Sequence, residues 1–214
     1  TRTEASRTGM KESGMAKPRR MGTETSETRV RLLDVTERIM IDDGYAAVSS
    51  RRIAKDAGVT PALVHYYFGT LDDLFLAVLK RRADQQLERQ RRTISSSPRP
   101  LRRLWDVSKD PDGTALLSEL MALANHRKIV RSELATYAEQ FRKVQLEALQ
   151  EHLAASGVDL HGVPVVSILV LIAGMSRGLM LEHSLGMETG LAETEAVIER
   201  LLDDLDRAAE ASLT

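Results

Sequence analysis

Residues 50–68 read SRRIAKDAGVTPALVHYYF, and the punctuation inside this stretch decides the fold. Ser50 is placed to cap a short helix in which Ile53, Ala54 and Ala57 share one face. Gly58 ends that helix, because a tight turn here needs the left-handed backbone that glycine adopts freely. Thr60 then caps a second short helix, with Pro61 in the first turn, where a missing N–H costs nothing. Two short helices joined by a glycine turn of about three or four residues read as a helix-turn-helix, whose second member enters the DNA major groove.

Upstream, residues 26–43 carry Leu32, Val35, Ile39 and Met40 on one helical stripe, Gly44 ends the helix, and Val48 joins the same small core. Downstream, Thr70 caps a further helix with Asp72 and Asp73 in its first turn, where the helix dipole favours negative charge. That helix runs to the break ISSSPRP at residues 94–100. Beyond it lie a brief helix over 101–107 with the only tryptophan, Trp105, a DPDG turn at 110–113, an amphipathic helix over 114–125 and a long helix over 128–156 stopped by Gly157. Residues 162–186 are the most apolar of the chain. Their charge-free part spans only 163–175, short of the roughly 20 residues a bilayer needs, so a buried helix is expected rather than a span. Gly174 and Gly178 permit close helix approach. A last helix over 193–212 has Val197, Leu201, Leu205 and Ala208 on a stripe. The fold class is all-α, with no strand pattern.

Composition narrows the function. Net charge is −1, but residues 1–107 hold 21 Lys and Arg against 14 Asp and Glu, whereas the remainder holds 9 against 17. The basic half is the half with the helix-turn-helix, as a nucleic-acid-facing portion should be. With no cysteine, thiolate metal sites are excluded, and a cytoplasmic location is expected. The five histidines never stand at the i, i+4 spacing of a helical metal site. No nucleophile–base arrangement is legible, so neither an enzyme nor a cofactor is expected. Residues 1–24 hold too little aliphatic surface to fold alone and read as a disordered tail, in which KPRR at 17–20 is either solvated or an arm along DNA.

The run AKDAGVTPALVHYYFGTLDDLF, within a match from about residue 28 to 79, resembles the TetR-type one-component transcriptional regulators. It has that family's small turn residues, paired tyrosines, terminal Phe68 and acidic-apolar start of the next helix. The resemblance implies three parts: the tail, a helix-turn-helix DNA-binding domain over 25–71, and a ligand-binding and dimerisation domain over 72–214. It also implies a homodimer paired through the last two helices, with a double-stranded DNA operator and a small-molecule effector as partners and no membrane. The activity implied is a repressor released from a palindromic operator by a small, largely apolar molecule. The competing readings are an all-helical enzyme and a structural interaction protein.

Carried over position by position, Thr60, Pro61, Ala62 and Leu63 approach base edges, His65, Tyr66 and Tyr67 contact the DNA backbone, and Ser50 and Arg51 touch phosphate. Each has a plainer reading. Tyr66 or Tyr67 would equally finish the core, Leu63 would bury against its neighbour, and Arg51 would be a surface charge. Leu71 departs from the pattern, since many relatives carry lysine there and gain a phosphate contact. For the effector, Trp105, Met121, Tyr137, Phe141 and Met175 are candidate pocket walls, with Asn125 and Arg177 as polar anchors. At helical spacing the apolar ones are equally core residues.

Overall fold

The computed structural model describes residues 26–95, 97–156 and 162–211. The expected tail over 1–24 and the expected stop at Gly157 lie outside these described residues, as does the side chain of Ala208. Among them every regular element is helical: α1 Glu27–Asp43, α2 Ser50–Ala57, α3 Pro61–Phe68, α4 Leu71–Ser95, α5 Pro100–Ser108, α6 Pro111–Ala124, α7 Lys128–Ser156, α8 Val165–Ser184 and α9 Leu191–Ala211, with a single 3-10 turn at Tyr45–Ala47.

The helix ends follow from local chemistry. Ser26 Oγ accepts the Arg29 N–H at 3.2 Å and opens α1, and Gly44 closes it at φ +82°. The cap of α2 is Ser49, whose Oγ accepts the Arg52 N–H at 3.3 Å; Ser50 is already the first helical residue. That corrects the expected start by one position. Adjacent serines offer two equivalent caps, and the extended backbone of Ser49 takes the role. Gly58 adopts φ +67°, and the Val59 N–H returns to the Ala54 carbonyl at 2.8 Å, closing α2 as a glycine C-cap does. Thr60 holds the N-cap position of α3 without a side-chain hydrogen bond. At α4 the cap is reciprocal: Thr70 Oγ1 accepts from the Asp73 N–H, and Asp73 Oδ2 accepts from the Thr70 N–H, both at 3.1 Å.

The expected DPDG turn is instead the first turn of α6. Pro111 has the backbone angle a helix start needs, Asp112 meets the positive end of the dipole, and the Asp110 carboxylate lies within 2.9 Å of where a Cβ on Gly113 would stand. Proline and glycine together signal a turn by composition, yet each is also acceptable in a first helical turn.

Two buried clusters hold the chain. One gathers Leu32, Met40, Ile53, Val64, Phe68 and Leu74 from α1–α4 and continues into Leu116, Leu120 and Leu123 of α6. The other joins Leu101 and Trp105 of α5 to Leu149, Leu169, Ile172 and Leu202 of α7–α9. The start of α5 is capped from far along the chain, the buried Asp206 carboxylate accepting the N–H groups of Leu101 and Arg102 at 3.2 and 2.9 Å. Arg102 adds ion pairs to Asp106, Glu199 and Asp203, and Lys109 pairs with Glu195 and Glu199.

Helix α8 corrects the expectation of a buried helix. Ile168, Leu169, Ile172 and Ser176 are buried, but Val166, Val170, Leu171, Met175, Leu181 and the neighbouring Leu185 are exposed in the single chain. By length and composition α8 would also suffice to cross a bilayer. The apolar excess lies on a face the chain itself leaves uncovered. The expected stripe on α9 also faces outward, with Val197, Leu201 and Leu205 exposed, and the buried apolar residues of that helix, among those described, are instead Ile198 and Leu202.

Candidate nucleic-acid interface and effector cavity

Helices α2 and α3 meet through Ile53, Ala54, Ala57, Val64 and Phe68, which leaves the other side of α3 in solvent. Thr60, Pro61 and Ala62 are exposed on its first turn, Leu63 is half-buried, and His65 and Tyr66 are exposed on its second. The two tyrosines divide the work that adjacent helical positions, about 100° apart, must divide. Tyr66 is 48% exposed, whereas Tyr67 packs in part against the core. Their rings meet edge-on at 5.2 Å. His65 donates from Nδ1 to the Gly69 carbonyl at 3.0 Å, which fixes its ring against the end of α3. Arg51 is exposed and Ser50 half-buried at the start of α2. Of the nine predicted contact residues, Arg51, Thr60, Pro61, Ala62, His65 and Tyr66 are exposed, Ser50 and Leu63 are partly buried, and Tyr67 is packed in part against the core.

Leu71 does not stand out toward that face as a phosphate-facing residue would. It is partly buried and packs against the cluster of α1–α4.

A half-open, largely apolar cavity of about 270 Å3 lies among α4, α5, α6, α7 and α8. Three of the seven expected effector residues line it: Tyr137 and Phe141, one turn apart on α7, and Arg177 on α8. The others do not. Trp105 is wholly buried in the α5–α9 cluster, Met121 is half exposed on the outer side of α6, and Asn125 is the exposed C-cap of α6. Met175 is on the uncovered face of α8. Periodicity places a residue on a stripe without telling which stripe faces the hole.

Sequence reasoning missed Gln86, Gln90, Arg82 and Arg142, which also line the cavity. Gln90 is 4% exposed, and its Oε1 has no hydrogen-bond partner. The available signal was Gln86 and Gln90 at i, i+4 on the same inward face as Leu79, where an apolar pair would normally stand. Burial, aided by Asp84 and Glu133, raises the Tyr137 phenol above its ordinary value, so it stays protonated as a donor. The Ser176 hydroxyl donates to the Ser108 carbonyl at 2.8 Å, fixing α8 against α5 at the cavity edge. Among the described residues no group of acids and histidines could hold a metal ion.

Among the described residues, an all-helical fold joins a helix-turn-helix head to helices that surround a cavity. Residues 32–78 match the family described as bacterial regulatory proteins, tetR family. The chain is 26% identical over 180 residues to the HTH-type transcriptional regulator BetI of Rhizobium meliloti, covering 78% of this chain and 85% of that one. In fold it is similar to a TetR transcription regulator from Haloarcula marismortui, with a TM-score of 0.67 and 21% identity over 85% of this chain and 97% of that one. It is likewise similar to a transcriptional regulator from Saccharomonospora viridis solved in complex with choline, with a TM-score of 0.68 and 19% identity over 83% and 94%. The head of the chain is thus similar in sequence to the DNA-binding domain of TetR-family regulators, and the described helices share the fold of regulators of that family.

Proposed function

We propose that this chain acts as a homodimeric repressor that sits on a palindromic operator and leaves it when a small, largely apolar molecule fills the cavity. Residues 25–71 serve as the reading head and residues 72–214 as the effector and dimer part. Ser50, Arg51, His65, Tyr66 and Tyr67 hold the DNA backbone, while Thr60, Pro61, Ala62 and Leu63 face base edges. Tyr137, Phe141 and Arg177 meet the effector.

The observation that carries this reading is that the helices walling the cavity also grip the head. On α4, Arg82 lines the cavity while its neighbour Arg81 pairs with Asp34 and Glu37 of α1 at 2.7 and 2.6 Å. On α6, Leu116 and Leu120 line the cavity while Glu119 binds the backbone after α1. A molecule favouring a different spacing of α4 and α6 therefore favours a different setting of the head, which is what release requires. Dimerisation is supported by the uncovered apolar faces of α8 and α9. A Cβ on Gly174 or Gly178 would meet nothing within 4 Å, so that face is open to close approach by a second copy.

Selection of bound duplexes from random DNA tests the reading. An inverted repeat is expected, with two half-sites about one helical turn apart. Recovery of sequences with no shared motif would overturn it.

A further inference from the structure

The charge of the cavity wall carries the effector reading a step further. Three arginines, Arg82, Arg142 and Arg177, reach the lining against one carboxylate, Asp110. Arg82 and Asp110 stand 3.8 Å apart and offset each other. Arg142 and Arg177 have no ion-pair partner among the described residues. Asp84 and Glu133 act on Tyr137 but do not line the cavity. Its aromatic groups are Tyr137 and Phe141 alone, beside a surplus of positive charge. A quaternary ammonium needs aromatic faces and is repelled by such a surplus. A guanidinium is weakly hydrated, and its planar fork matches a carboxylate.

The Gln90 amide is a second, independent feature of the wall: it is 4% exposed and its Oε1 has no hydrogen-bond partner, so no contact fixes which way the amide is turned. Turned over, the same amide presents two N–H donors to an acid group. The volume of about 270 Å3 corresponds to roughly nine waters at about 30 Å3 each, hence a ligand on the order of ten non-hydrogen atoms.

Resting on the effector reading above, we propose that the effector is an anionic amphiphile, a monocarboxylate whose acid group takes Arg142 and Arg177 and whose apolar body lies against Leu87, Leu117, Leu134 and Phe141. This assigns the cavity a chemistry opposite in sign to that of choline.

Calorimetric titration of the full chain with octanoate, octan-1-ol and octyltrimethylammonium, three probes of equal chain length, separates the possibilities. Octanoate is expected to bind about tenfold or more tighter than the other two, the preference a paired guanidinium gives. The double variant Arg142→Gln, Arg177→Gln should lose that preference while keeping the octan-1-ol affinity and the melting temperature. Equal or tighter binding of octan-1-ol or octyltrimethylammonium would overturn the anionic class and leave the effector cavity standing. Absence of binding by all three would remove both.

Discussion

The Glu119 carboxylate of α6 accepts a hydrogen bond from the Tyr45 backbone N–H at 2.7 Å, joining a helix of the cavity to the turn that follows α1. The same carboxylate oxygen lies 3.3 Å from where a Cβ on Gly44 would stand, and Gly44 is at φ +82°. Only glycine leaves both the backbone and the carboxylate where they are.

Glu119→Ala should therefore expose the turn at 44–48 without disturbing the face of α3. A hydrogen bond to a charged group is worth about 1.5–3 kcal/mol, and partial exposure puts this one near the lower end. Faster hydrogen exchange confined to the 44–48 segment, with a lower melting temperature, is expected. Unchanged exchange there would show that α6 and the head are not joined through this contact.

Asp206 gives a pH prediction of definite sign. Burial raises its carboxyl above the ordinary value of 3.8, and the N–H groups of Arg102 and Leu101 only partly offset this. A group whose folded pKa is raised contributes stability that is full below the unfolded pKa and is lost as pH rises through the folded one. Relative to Asp206→Asn, the wild type should gain melting temperature on going from neutral pH toward about pH 4. A difference between the two that does not vary with pH would reject the raised value. Asp206→Ala should be less stable at every pH, because the buried Leu101 N–H loses its acceptor, at about 1–3 kcal/mol, and the part-buried Arg102 N–H loses one too.

The head was legible in the sequence because its signals are local. Gly58, Pro61 and the run from Ile53 to Phe68 place two helices and a turn within 19 residues, and nothing distant competes with them. The cavity was less legible because its wall is assembled from five helices. Tyr137 and Phe141 stood out as aromatics on a stripe and do line it, whereas Trp105 on an equally good stripe fills the other cluster. Gln90 and Arg142 look like ordinary surface residues until α4 and α7 are laid side by side. On α8, hydropathy gave the apolar character correctly but not that Val166, Val170, Leu171 and Met175 are left exposed.

Leu201 is 58% exposed on α9 in a row with Val197 and Leu205. A charge there costs the single chain little, since it meets water, but in a dimer it would be buried unpaired. Leu201→Asp is expected to melt at nearly the wild-type temperature when dilute and to sediment as a monomer at micromolar concentration. A fully dimeric variant would move the interface away from α9.

On the proposed function, the α3 face would make two kinds of DNA contact. Tyr66→Ala should weaken binding to all duplexes alike, because a hydroxyl on a phosphate positions the protein without reading sequence. Leu63→Gln should change which base is preferred at one position of each half-site, exchanging an apolar contact with a thymine methyl for hydrogen bonding to adenine. Sites selected from random DNA by each variant measure both effects. An unchanged preference after Leu63→Gln would place that side chain in the interior rather than the groove.

Leu71 tests the limits of carrying family positions onto this chain. Lysine at this place in many relatives implies a phosphate contact, but here the leucine packs against the cluster that includes Phe68 and Leu74. Leu71→Lys removes apolar contact at the first turn of α4 and adds a cation beside the positive end of that helix's dipole, both unfavourable. The expected result is a lower melting temperature, by about 1 kcal/mol in stability, with no change in the slope of log K for DNA against log salt. The opposite result is equally readable. A slope steeper by up to about 1.8, from one new phosphate contact in each of two subunits, with stability kept, would mean that position 71 swings out to the DNA backbone. Sequence preference should be the same in either case, since a phosphate contact carries no base information.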